Sequence, residues 1–78
     1  HVVTAPLVGT FYRSPEPGAP PFVEVGGVVE EGDQVAIVEA MKLMNPVTAP
    51  CAGRVTGFDA ADAEPVEYGQ ALIRLAPL

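Results

Sequence analysis

The eight residues from Val38 to Asn45, VEAMKLMN, hold the only lysine of the 78-residue chain, Lys42, between Met41 and Leu43 with Glu39 and Met44 close by. A primary amine can be acylated to an amide, and no other side chain here duplicates that chemistry. The other reactive groups are isolated. The only histidine is His1, the only serine is Ser14 directly before Pro15, and the only cysteine, Cys51, has no base near it in sequence. No Ser/His/Asp or Cys/His arrangement can be assembled from that inventory. Zinc needs several Cys or His ligands at set spacings, and the eight glycines form neither GxGxxG nor a phosphate loop. Among ten carboxylates, Glu30, Glu31 and Asp33 read as a solvated turn. The expectation is a domain that does not catalyse alone, with no catalytic residue and no metal site; a lone lysine is ordinarily a solubilising residue, and Lys42 is set apart by the apolar Met41, Leu43 and Met44 around it.

Something must hold that lysine out. Residues 1–78 fit one small domain, and 49% apolar residues can supply its core. With a single cysteine no internal disulfide can form, and Cys51 reads as a small apolar filler of an intracellular protein. A net charge of −6 turns the chain away from nucleic acid and anionic membranes, both of which attract lysine and arginine. Neither a signal-peptide pattern nor a run of 18 apolar residues is present, so a soluble domain is expected.

Eight glycines and nine prolines leave Asp33–Asn45, 13 residues, as the longest stretch free of both. Short apolar or β-branched runs elsewhere predict strands at Val2–Thr4, Thr10–Arg13, Phe22–Val25, Val47–Thr48, Arg54–Phe58 and Ala71–Leu75. The long stretch is ambiguous. Ile37, Ala40, Met41 and Met44 form an apolar helical stripe with Asp33 as a cap, whereas Val35–Val38 after a Gly-Asp turn suits a buried strand. The helical alternative makes the segment a Met-rich docking helix with an incidental lysine.

An internal repeat favours the strand. APLVGTF (Ala5–Phe11) is similar to APCAGRV (Ala49–Val55), and VEEGDQVAIV (Val29–Val38) to VEYGQALIRL (Val66–Leu75) with a small gap. Two related strand-rich halves packed face to face imply pseudo-twofold symmetry, with Val35–Val38 matching Ala71–Leu75. Lys42 then falls on a sharp turn where one half passes to the other. Met41, Leu43 and Met44 around it form an adaptable recognition surface. The first half carries 7 extra residues, around SPEPGAPP (Ser14–Pro21).

The residues EAMKLMN closely resemble the attachment motif of biotinyl domains, in which the lysine of an Ala-Met-Lys-Met type sequence carries biotin; Leu43 departs from that pattern. Upstream, APLVGTFYRSPEPGAPPFVEVG (Ala5–Gly26) resembles the start of the biotin carboxyl carrier domains of multisubunit acetyl-CoA carboxylases. Lipoyl domains share the fold, but their motif is of the Asp-Lys-Ala type.

The resemblance implies an all-β fold, a flattened barrel-sandwich hybrid of two four-stranded antiparallel sheets with pseudo-twofold symmetry and a protruding thumb loop. It implies covalent biotin on Lys42, with Met41 and Met44 read by a biotin protein ligase and Glu39 a weaker electrostatic contributor. The thumb, Ser14, Pro15, Glu16, Pro17, Gly18, Ala19, Pro20 and Pro21, would contact the biotin. The implied partners are biotin carboxylase and a carboxyltransferase that makes malonyl-CoA from acetyl-CoA for fatty acid synthesis. The implied compartment is bacterial cytoplasm, with plastid stroma as the alternative.

Overall fold

Runs of valine, isoleucine and leucine, cut short by Gly, Pro and acidic turns, form eight strands and no helix in the computed structural model, which describes every residue from His1 to Leu78. The strands are β1 (Val2–Thr4), β2 (Gly9–Tyr12), β3 (Val28–Val29), β4 (Gln34–Ala40), β5 (Leu43–Thr48), β6 (Gly53–Phe58), β7 (Glu64–Val66) and β8 (Ala71–Ala76). They make two four-stranded antiparallel sheets, ordered β1-β8-β6-β3 and β5-β4-β2-β7. Fifteen buried side chains fill the space between them, with Phe11, Leu72, Ile73, Val3, Val35, Val38, Val55 and Val66 the largest fully buried ones. No polar side chain is buried, so hydrophobic burial and the backbone ladders hold the fold. The result is a flattened barrel-sandwich of 35 × 26 × 19 Å.

The pseudo-twofold expected from the repeat is present in detail. Replacing β1, β2, β3 and β4 by β5, β6, β7 and β8 turns one sheet order into the other. Equivalent turns repeat the same bonds: Gly32 N–H donates to Ala49 O and Ala49 N–H to Asp33 O, as Gly69 N–H donates to Ala5 O and Ala5 N–H to Gln70 O. Within those turns Asp33 Oδ2 accepts from Glu30 N–H, and Gln70 Oε1 from Glu67 N–H. Asp33 therefore matches Gln70 directly, and the small gap expected between the repeats is absent. Each half also carries a β-bulge, which sets Val35 in β4 and Leu72 in β8 as the extra, fully buried residues.

Several elements differ from expectation for local reasons. Asp33–Asn45 is two strands, because cross-strand pairing and burial of Val35–Val38 outweigh its helical propensity. Phe22–Val25 is not a strand; Phe22 and Val23 are half-buried in an irregular run after Pro20-Pro21, and the regular ladder with β6 covers only Val28 and Val29. Gly26, at φ 93°, turns the chain there, with Gly26 N–H donating to Val55 O. Strand β5 starts at Leu43 rather than Val47, and β7, which contains Pro65, was not among the expected strands. Both β5 and β7 are edge strands, where a proline costs no ladder bond. The other two edges, β1 and β3, are three and two residues long.

Candidate functional site

Lys42 lies on the hairpin between β4 and β5. The register Ala40↔Leu43 leaves Met41 and Lys42 as a two-residue loop, and both have left-handed backbones, φ 52° and 67°. This is the type I′ pattern, whose twist suits a hairpin but which normally selects Asn-Gly or Gly-Gly. A side chain at such a position costs about 1 kcal/mol or more. The strain is sustained by the six residue pairs of the β4–β5 ladder. Asn45 adds to it, since its Nδ2 donates to Val38 O and to Leu43 O, both at 3.2 Å, stitching the strand behind the loop.

The amine is presented openly. Lys42 is exposed, and the only ion pair in the molecule, Arg74 with Asp59 at 2.9 Å, does not involve it. That pair's hydrogen bonds and charge raise the Arg74 guanidinium further above its ordinary range. Around Lys42 the surface is apolar: Met41 is 94% exposed, Leu43 66% and Met44 49%. Glu39 is half-buried, sits opposite Met44 in the ladder and forms no salt bridge with Lys42.

The thumb approaches this hairpin. Phe22 N–H donates to Arg13 O at 2.9 Å and closes its base. Ala19 N–H donates to Glu16 O at 3.1 Å across Pro17-Gly18, with Gly18 at φ 83°, the pattern of a type II turn at the tip. A groove of about 190 Å³ runs between thumb and hairpin, lined by Tyr12, Ser14, Pro15, Glu16, Pro17, Glu39 and Met44. The structure thus brings the first half of the thumb together with Glu39 and Met44. Gly18, Ala19 and Pro20 line no groove, and Pro21 faces a separate cleft with Arg13, Ser14 and Asp62. Met41 and Lys42 project from the hairpin tip and do not line the groove. Sequence reasoning missed Tyr12 and Asn45. Tyr12 was hidden as an ordinary strand residue, while an asparagine three positions after the lysine was a legible signal for a hairpin brace.

A free amine on an exposed tip can take a flexible acyl arm, and a mostly apolar groove adjoins the hairpin. Comparison with known proteins agrees with that geometry. The family described as "Biotin-requiring enzyme" (biotin/lipoyl) matches residues 1–75. The biotin carboxyl carrier protein of acetyl-CoA carboxylase from Nostoc sp. is 51% identical over 75 residues, 96% of this chain and 41% of that protein. Its counterpart in Haemophilus influenzae is 52% identical over 73 residues, 94% and 47% of the two chains. A chloroplastic counterpart in Arabidopsis thaliana is 49% identical over 73 residues, 94% and 29%. The chain spans less than half the length of these curated relatives. Among solved structures, a single-chain, multi-domain long-chain acyl-CoA carboxylase superposes with a TM-score of 0.76 at 25% identity, over 94% of this chain and 6% of that one. Fold, hairpin and matched residues lead to one conclusion: the chain belongs to the biotin-requiring enzyme family.

Proposed function

We propose that this domain is the biotin carboxyl carrier of an acetyl-CoA carboxylase, with biotin in amide linkage to Lys42. The observation that carries the proposal is the amine itself: the only lysine, unpaired, on the apex of a strained two-residue turn. Lysine side chains are almost wholly ammonium at neutral pH, so a biotin protein ligase must remove a proton before Nζ attacks the activated valeryl carbonyl. The C–N bond forms and the activating group leaves. Exposed Met41 and Met44 give that ligase an adaptable apolar surface, and Glu39 biases the local charge.

When bound, biotin supplies the carboxyl-carrying chemistry between biotin carboxylase and a carboxyltransferase, which makes malonyl-CoA in the first step of fatty acid synthesis. The chain contributes position. The lysine stem plus valeryl arm has about eleven bonds and a reach of roughly 14 Å, enough to enter a partner's pocket. Tethering keeps the ring at high local concentration near both partners. Thumb residues Ser14–Pro17, beside Glu39 and Met44, offer a resting place for the ring between visits. The proposed compartment is bacterial cytoplasm, with plastid stroma as the alternative. Intact mass after co-expression with a ligase tests the assignment: the wild-type chain gains one biotinyl group, and Lys42→Arg gains none while keeping its β-rich circular dichroism. A biotin adduct on the arginine variant overturns it.

A further inference from the structure

The thumb is tied to the body at Arg13. Its carbonyl accepts from Phe22 N–H at 2.9 Å, and its own N–H donates to Asp62 Oδ1 at 2.8 Å. Its guanidinium carbon lies 3.9 Å from the centre of the Phe58 ring. Arg13 directly follows β2 in one sheet and Phe58 ends β6 in the other, so this stack bridges both layers. Asp62, whose carboxylate takes the backbone N–H, forms no ion pair with the guanidinium, and Arg13 Nε is buried without a partner. The side chain is thus held by the aromatic face rather than by a carboxylate. A flat cation suits that face, whereas the ammonium of lysine cannot stack.

We infer that Arg13 is a positioning residue: stacked on Phe58, it holds the base of the Ser14–Pro21 thumb so that Ser14–Pro17 face the hairpin that carries Lys42. Phe58 is half-buried and packs on the core, giving the thumb a rigid anchor in the opposite sheet. The consequence for biotin rests on the reading that the ring lodges beside the thumb.

The test uses the 78-residue chain in two forms. On the unmodified chain, 15N relaxation reports the thumb directly. In wild type the amides of Gly18 and Ala19 keep order parameters near those of rigid backbone, about 0.85, and in Arg13→Lys and Phe58→Leu they fall below about 0.6. Phe58→Tyr, which keeps the ring face, stays rigid. On the biotinylated chain, Arg13→Lys is captured by avidin about threefold faster than wild type, because binding no longer waits on a segment to move. Rigid Gly18 and Ala19 in both Arg13→Lys and Phe58→Leu overturn the clamp, whatever the avidin rates. Should Arg13→Lys loosen the thumb while neither it nor deletion of residues 14–21 changes avidin capture, the clamp stands and the lodging of biotin beside the thumb fails.

Discussion

The backbone carbonyl of Glu39 occupies the space that a Cβ on Gly9 would need. Strand β2 can approach β4 beneath the lysine hairpin only because residue 9 has no side chain. The same device recurs in the other half, where a Cβ on Gly53 would lie 2.7 Å from Ala76 O. The two glycines are related by the pseudo-twofold, but only one supports Lys42.

This pair gives a controlled comparison. Gly9→Ala and Gly53→Ala are each expected to destabilise by about 1–3 kcal/mol through overpacking. Only Gly9→Ala should also lower kcat/KM for biotinylation, since it displaces β4 just before the turn. Urea midpoints and ligase kinetics on both variants check this; equal ligase kinetics would show that the hairpin tolerates the shift.

Relief of backbone strain should separate stability from modification. Met41→Gly removes the left-handed penalty at φ 52° and is expected to stabilise by about 0.5–1 kcal/mol, the strain relieved less the entropy glycine loses on folding. The same change deletes an apolar side chain that is 94% exposed and cannot serve the core. Biotinylation should become slower as the fold becomes firmer, and denaturation curves beside ligase kinetics read both.

Asn45→Ala removes the donor to Val38 O and Leu43 O. A loss of about 1–2 kcal/mol is expected from two ordinary hydrogen bonds. Hydrogen exchange should quicken most at the amides of β5, with the ladders of the other sheet unaffected. Uniform acceleration over both sheets would mean that the bonds support the whole fold rather than the hairpin.

Phe11 is fully buried, and its carbonyl accepts from Ala63 N–H at 2.7 Å. Phe11→Ala should cost about 3–5 kcal/mol. For a domain this small that is much of the total stability, so the variant should unfold at far lower denaturant.

Much of this architecture was legible because it is written twice. The likeness of Ala5–Phe11 to Ala49–Val55 and of Val29–Val38 to Val66–Leu75 made Val35–Val38 a strand and Lys42 a turn residue, against helical spacing at Ile37, Ala40, Met41 and Met44. What stayed hidden depended on which strands and side chains lie alongside in the fold. Leu43–Asn45 has no strand propensity of note and pairs only because β4 lies beside it. Glu64–Val66 was not expected as a strand and is one because it pairs with β2, distant in sequence. Nothing local indicated that Arg13 would meet Phe58, 45 residues later, or that Tyr12 would line the groove by the thumb.

The edges of the two sheets bear on how such a domain behaves among its own copies. An open strand edge is a template for neighbouring chains. Here two edges are only two and three residues long, and the other two are interrupted by Pro46 and Pro65. Copies that collide find no continuous ladder to extend. Such edges resist strand-to-strand association between copies.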